Sequence, residues 1–598
     1  MRKLFILLIF SLPISLLAQK PADKRLAGLD TFVSKILKDW HAAGVGIAVV
    51  EKNKIVYAGG FGYRDYENKL PVTENTQFAI GSCTKAFTAS LLGMAVKDNK
   101  LDIDKPVTAY LPELKFSKEY LTEHVTVRDM MCHRTGLPRH DLAWYGSSSN
   151  RDSLLYVIRF FEPSAELRQV WQYNNFMFLA QGVLAQKLYN QSWEILIKEK
   201  ILDPLEMKTT NLSVSDLEKS PDHSLGYREK SDSIKKMDYM NIDAMGPAGS
   251  INSTPKEMAN WVITWINGGK FNSKEIIPAQ HIQQAMSAQM VVSPGTPSKE
   301  NPDVNFSNYG LGWFLSSYRG HYRVEHGGNI DGFSASTCLF PSDSIGIIIL
   351  SNQNASAVPG IIRNFIADKM LGLSYRNWSQ QQSDELKKAK AVAQQRMNSD
   401  SANQKQGTHP SHALNAYEGM YKNDGYGKLI VSSKNNQLYI DFGKLNFKLK
   451  HYHYDIFNAY PTNEDIDADQ DDATKIDFKT NLKGDINQIA INLEPAVAPI
   501  VFTKQIQEIK IDKNELAKYA GDFVLGPQKI SFEIRNDAVL WARITGQPDY
   551  ELMPVKKDEF NIKILNGFSI RFEADDKGIY NTAYFIQPNG TFKAIRKN

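Results

Sequence analysis

The sequence predicts an α+β domain, an antiparallel sheet with helices packed on it, followed by two small antiparallel β modules. Three observations predict this. Strand-like runs at both ends of residues 24–372 bracket a helical middle, the pattern of one sheet assembled from the two ends of a domain. A polar stretch over 373–412, poor in large apolar residues, reads as a linker with a charged helix inside it. Beyond it, a set of residues recurs at a constant offset of 102.

The elements follow in chain order. Arg2 and Lys3 precede an apolar run from Leu4 to Leu17, interrupted by Ser11, Pro13 and Ser15 and ending at Ala18-Gln19. That order of charge, short apolar run and small residue reads as a cleaved export signal over 1–18, giving a periplasmic or secreted protein. A membrane anchor is the alternative; the run is short for one and contains Pro13. Residues 45–50 and 55–57 are strand-like and flank a polar turn, so 44–62 reads as a hairpin. From Ser82 to Val96 the text turns to Ala, Leu, Met and Phe, a helix signal. Further helices are expected at 127–132, 175–188 and 255–266; the last opens on Thr254 as cap, Pro255 at the first position and Glu257 completing a capping box. Strands return at 309–317, 322–326, 333–340 and 345–350. In the C-terminal region Leu414, Tyr417, Gly419 and Tyr421 recur as Leu516, Tyr519, Gly521 and Phe523, and Leu438-Tyr439 as Leu540-Trp541. Six positions in register define two copies of one β module, at 413–505 and 510–598.

Composition excludes several functions. At 598 residues the chain exceeds one compact domain, and its 42% hydrophobic and 23% charged residues are an ordinary globular balance. A net charge of +4 without a clustered basic face argues against a nucleic-acid partner. After the first segment no apolar run is long enough to span a bilayer. Cys83, Cys132 and Cys338 cannot form a disulfide framework, make no C-x-x-C pair and read as buried small hydrophobes. No metal or other cofactor is implied. The run Asp465-Ile-Asp-Ala-Asp-Gln-Asp-Asp472 lacks the Gly and distal Glu of a calcium loop and reads as a solvated acidic loop.

Three short patterns could carry chemistry. Ser82-Cys-Thr-Lys85 opens the first long helix, and positions i and i+3 share a helix face, so hydroxyl and amine can enter one cleft. A serine hydroxyl needs a base, and a lysine becomes one only when burial or nearby cations lower its titration. The pattern recurs at Ser233/Lys236 and Ser253/Lys256, and for an isolated match a capping Ser with an exposed Lys is the plainer reading. Ser82 alone lies between an apolar approach and an apolar helix. Tyr173-Asn-Asn175 is one of five Tyr-x-Asn matches, with Tyr66, Tyr239, Tyr375 and Tyr421, set apart by Trp171 before it and an apolar helix after it. His326-Gly-Gly328 ends a strand-like run; paired glycines admit close backbone approach, and a plain turn is the alternative.

In this order and spacing, Ser82/Lys85, Tyr173/Asn175 and His326/Gly328 resemble the serine β-lactamase and penicillin-binding family, in its esterase and D-peptidase branch. Residues 132–138 (Cys-His-Arg-Thr-Gly-Leu-Pro), 246–250 and 309–313 look familial too, so the resemblance covers about residues 24–372. It implies a β-lactamase/transpeptidase-like fold with lipocalin-like C-terminal modules, which in relatives shape the active-site entrance or mediate assembly. It implies Ser82 as nucleophile forming an acyl-enzyme, Lys85 and Tyr173 sharing its proton, and an oxyanion hole from the backbone N–H groups of Ser82 and Asn329. Asn175 would bind the substrate amide or steady Lys85. His326 stands where the family also places the Lys of Lys-Thr-Gly, and a neutral imidazole grips a carboxylate less firmly than an ammonium. Esters and D-amino-acid peptides are therefore the expected substrates. The alternatives are a D-Ala-D-Ala carboxypeptidase or β-lactamase acting on cell-wall-derived or β-lactam substrates, and a non-catalytic envelope protein that binds peptides or β-lactams. Assembly into a homo-oligomer is compatible with the sequence. Trp144, Tyr145, Trp171 and Trp313 are candidates for an aromatic rim.

Overall fold

Runs of valine and isoleucine that alternate between two apolar faces build the central sheet. The computed structural model describes residues 23–293, 297–298, 302–462, 473–505, 508–536, 539–565 and 567–597; the expected signal segment and the 465–472 aspartate run lie outside them. The sheet contains β1 (Gly44–Glu51), β2 (Lys54–Asp65), β3 (Leu70–Pro71), β4 (Met290–Ser293), β5 (Ser307–Tyr309), β6 (Phe314–Tyr318), β7 (His321–Ile330), β8 (Phe333–Phe340) and β9 (Ile345–Ser351). Its order is β4-β5-β6-β7-β8-β9-β1-β2-β3, so the first strand pairs with the last, Ile47 opposite Ile349. Val45, Ile47, Val49, Ile347 and Ile349 enter one apolar cluster with α1 (Leu29–Asp39), and Ala48, Val50, Ile348 and Leu350 enter another with α2 (Thr84–Lys97). Burial on both faces explains why these strands read as continuous apolar runs. Also on the second face lie α3 (Asn175–Tyr189) and α4 (Pro255–Ile266), while α5 (Val358–Met370) joins α1 on the first.

Several local expectations need correction. The 309–317 run is two strands, because Gly310-Leu311-Gly312 turns the chain, with Gly312 at φ +83°. The His326-Gly-Gly segment does not end its strand: β7 continues to Ile330, pairing Gly327 with Ser336 and Gly328 with Ala335. Thr254 caps α4 by accepting from the Glu257 N–H at 3.0 Å, but Glu257 does not close a capping box. Its carboxylate instead accepts the N–H groups of Thr209 and Thr210, each at 2.8 Å. The stretch read as linker is largely one helix, α6 (Trp378–Asn403), with no buried residue. It is polar on every side, as a bridging helix can be. Its start is tied by the Trp378 indole to Asp368 at 2.8 Å, and its end by the Tyr452 hydroxyl to the Asp400 carbonyl at 2.6 Å.

The repeated region forms two closed eight-stranded antiparallel barrels of lipocalin-like type, from Gly419–Asn423 to Ile500–Lys504 and from Gly521–Leu525 to Gly590–Arg596. The repeated residues seal them. Tyr421 and Phe523 are fully buried in the strands that close each barrel, opposite Lys504 and Arg596. Tyr417 and Tyr519, just ahead of the first strand of each barrel, are fully buried against barrel rings such as Phe478 and Phe560 and hydrogen-bond to Asp455 and Asp558. The first barrel shares a continuous apolar cluster with the helical side of the N-terminal α+β domain, whereas the second has its own. Docking centres on His140, held in a left-handed conformation (φ +49°) and stacked on Phe161 at 4.5 Å. Its Nδ1 meets the Tyr426 hydroxyl at 2.7 Å, and its backbone N–H donates to Glu494 at 2.9 Å. Among the described residues no helix is long and apolar enough to cross a membrane.

Candidate active site

The chain segment after Ile80 makes one 3-10 turn, Gly81–Cys83, before α2 begins at Thr84. Ser82 therefore sits at the mouth of the helix while Lys85, one turn on, points into the protein and is 0% exposed. The Lys85 amine has three neighbours: Asn175 Oδ1 at 2.8 Å, the Ala248 carbonyl at 2.7 Å and Ser82 Oγ at 2.9 Å. Burial, and then the nearby Arg139 guanidinium, hold this amine well below the usual lysine range. A neutral amine has two hydrogens and one lone pair. Asn175 Oδ1 and the Ala248 carbonyl can only accept, so in the neutral form they take both hydrogens and the lone pair is left facing the serine hydroxyl. Asn175 cannot turn away, since its Nδ2 donates to Asp141 at 2.9 Å.

Tyr173 approaches from the loop before α3. The Lys85 amine lies 4.8 Å from its ring centroid and Arg139 caps the ring at 4.9 Å. Burial pushes the phenol above its usual range, offset in part by interaction with the Ser82 hydroxyl. The structure thus gathers Ser82, Lys85, Tyr173 and Asn175, from segments ninety residues apart, around one amine.

β7 supplies the opposite wall. A Cβ on Gly328 would lie 1.9 Å from the Ile80 carbonyl and 3.0 Å from the Ser82 nitrogen, and one on Gly81 would lie 2.9 Å from the Asn329 nitrogen. Only glycine permits this contact, which brings the backbone of Ser82 against that of Asn329. His326 is 2% exposed, bonded through Nε2 to the Tyr309 hydroxyl at 2.9 Å and through Nδ1 to the Gly327 carbonyl at 2.6 Å. Burial brings it down to about 3, so it is neutral at physiological pH.

Two cavities meet at Ser82. One, about 370 Å³, is lined by Arg139, Asp141, Trp144, Tyr145 and Asp331 among others. The other, about 560 Å³, is lined by Arg139, Trp171, Tyr173, His326 and, from the first barrel, Glu494 and Ala496. Of the proposed aromatic rim, Trp144, Tyr145 and Trp171 line these cavities. Trp313 does not: it is 1% exposed and packs on Trp265 at 5.0 Å, in the core.

Sequence reasoning missed Arg139 and Asp141, which pair at 2.6 Å and hold Tyr173 and Asn175 in place. It also missed the support behind Tyr173, where the buried His133 ring packs at 4.4 Å and accepts the Asn174 N–H at 3.1 Å. His133 lay inside the familial segment 132–138; Asp141, three residues beyond it, carried no pattern of its own. Among the described residues no three His, Cys, Asp or Glu side chains converge as a metal site.

Residues 29–369 match the model of the Beta-lactamase family. The chain belongs to the beta-lactamase family. Residues 403–504, which hold the first barrel, match a domain of unknown function, DUF3471. An unguisins hydrolase, ungD', from Aspergillus campestris (strain IBT 28561) is 29% identical over 451 residues, 70% of this chain and 80% of that protein. The octameric penicillin-binding protein homologue from Pyrococcus abyssi superposes with a TM-score of 0.53 at 20% identity, over 80% of this chain and all of that one. EstCE1, a hydrolase with promiscuous acyltransferase activity, gives a TM-score of 0.50 at 17% identity, over 58% of this chain and 99% of that one. This beta-lactamase-family protein is accordingly a hydrolase with the serine hydrolase fold of that family, extended by two barrels.

Proposed function

We propose that the chain is an exported hydrolase that forms an acyl-enzyme on Ser82 and acts on esters or D-amino-acid-containing peptides. One observation carries the reading: a wholly buried lysine amine lies 2.9 Å from the serine hydroxyl, with two fixed acceptors, Asn175 Oδ1 and the Ala248 carbonyl, placed to take its hydrogens. In the proposed cycle Lys85 takes the Ser82 proton as the oxygen attacks the carbonyl carbon. The carbonyl oxygen becomes an oxyanion, held by the backbone N–H groups of Ser82 and Asn329. Tyr173 gives its phenol proton to the leaving alcohol or amine as that bond breaks and is reprotonated by the Lys85 ammonium, which returns to the neutral amine; water then cleaves the acyl-enzyme by the reverse route.

Substrate class follows from charge. His326 is neutral, and the Arg139 guanidinium is already matched by Asp141, so a substrate carboxylate finds little to grip. That favours esters and amides over D-Ala-D-Ala ends and β-lactams. The test is labelling of purified protein by a fluorophosphonate and by a fluorescent penicillin, each against Ser82→Ala. Ser82-dependent labelling by the phosphonate alone is the expected result. Labelling by both moves the assignment to a penicillin-recognising enzyme, and labelling by neither overturns the acyl-enzyme. Export, argued from residues 1–18, is tested by sequencing the N-terminus of secreted material, which should begin close to Gln19.

A further inference from the structure

We infer that the cavity on the Asp331 side of Ser82 is a subsite for a substrate ammonium group, so that preferred substrates are amino-acid amides and esters, or peptides, with a free amino terminus. The inference rests on the acyl-enzyme reading and adds the chemistry of the acyl group.

Beyond Asn329, whose backbone meets Ser82, the chain runs through Ile330 to Asp331 at the turn after β7. Asp331 lines the 370 Å³ cavity that also opens on Ser82, and it is only 8% exposed. Its oxygens accept from the Tyr145 hydroxyl at 2.7 Å and the Met240 N–H at 3.0 Å. Among the described residues no lysine, arginine or histidine forms an ion pair with it. Asp141, on the same cavity, differs: Arg139 neutralises it at 2.6 Å. A buried carboxylate with two neutral donors and no cation is costly to keep ionised. Each oxygen retains a free acceptor site, and a cation entering the cavity would supply the missing charge.

The other walls suit an amino acid. Trp144 and Tyr145 meet edge to face with centroids 5.7 Å apart, the kind of aromatic surface that attracts an ammonium group. Leu142, Ile242, Met245 and Ile330 offer apolar surface for a side chain. A substrate carboxylate in this cavity would meet Asp331 with like charge. A purely architectural role, Asp331 pinning Met240 and Tyr145 to the sheet, accounts for the two hydrogen bonds but not for the lack of a cation.

The test compares kcat/KM for matched substrates, D-alanine p-nitroanilide and its N-acetyl derivative, with the L pair alongside. Wild type should favour the free amine by about tenfold or more, and Asp331→Asn should erase that preference, mainly through KM. A second reading needs no variant. Burial raises the Asp331 carboxyl above the usual aspartate range, so protonation on acidification should remove the preference while the substrate amine stays charged. Tyr145, Tyr239, Arg139, Asp141 and Asp243 are the other titratable groups around it; the two phenols are pushed further up by Asp331, and the N-acetyl substrate reports any effect of the rest. Equal turnover of the two wild-type substrates overturns the subsite, as does an unchanged ratio in a folded Asp331→Asn. If that variant does not fold, the wild-type ratio and its pH dependence decide. If wild type neither hydrolyses p-nitrophenyl butyrate nor labels with fluorophosphonate at Ser82, the acyl-enzyme reading itself fails. Ester turnover without amine preference sinks the subsite alone.

Discussion

The Lys85 amine is held by Asn175 and the Ala248 carbonyl, and its charge state sets the pH response of the proposed reaction. Because burial and Arg139 lower its titration, the base form appears at a pH below the ordinary lysine value. Turnover should therefore rise as pH climbs through that lowered value and then stay level, since the Tyr173 phenol, pushed up, keeps its proton. A profile of kcat/KM from about pH 4 to 10 checks this, and no inflection from His326 is expected above about pH 4. Lys85→Met should cost about a thousandfold in kcat, measured with an activated ester. At this scale the sequence was legible where a residue belonged to a short pattern: Ser82, Lys85, Tyr173, Asn175, His326 and Gly328 all lie at the same cleft. Arg139 and Asp141 were not legible, because they act through contacts made only in three dimensions.

Among the elements, β7 and the 3-10 turn at Gly81–Cys83 depend on each other most closely. Gly328→Ala would drive a methyl into the Ile80 carbonyl and separate the strand from Ser82. Ester hydrolysis should fall by about a hundredfold or more, the cost associated with a misplaced oxyanion donor, while circular dichroism stays native. Thr254→Ala removes the cap of α4 and should lower stability by about 1 kcal/mol, read from chemical denaturation. The start of α4 was legible because cap and proline are adjacent in sequence. The use of Glu257 was not, because Thr209 and Thr210 lie almost fifty residues upstream. For α6 composition misled: a polar stretch looks like linker whether or not its backbone is helical, and only its tied ends distinguish the two.

For the whole molecule, the two barrels are not equivalent. Their repeat was legible because each must close the same barrel with the same residues, but nothing in the text said that the first would share an apolar cluster with the preceding domain while the second keeps its own. Ending the chain before residue 508 removes a barrel with its own core and should leave ester hydrolysis and melting temperature nearly unchanged. Ending it after residue 403 strips the cover from His140 and Phe161 and deletes the Glu494 wall, so activity should drop and the protein should aggregate. His140→Ala in the full chain should weaken docking by about 1 kcal/mol and raise KM with little change in kcat. The sheet order has a consequence in time. β1 can find its inner neighbour only after residues 345–351 have been synthesised, and the Gly-Gly strand that abuts the serine arrives nearly as late. Such distant pairing is slow. A nascent polypeptide therefore carries its serine and lysine long before the cleft around them exists, and the proposed site is assembled only when the sheet zips shut.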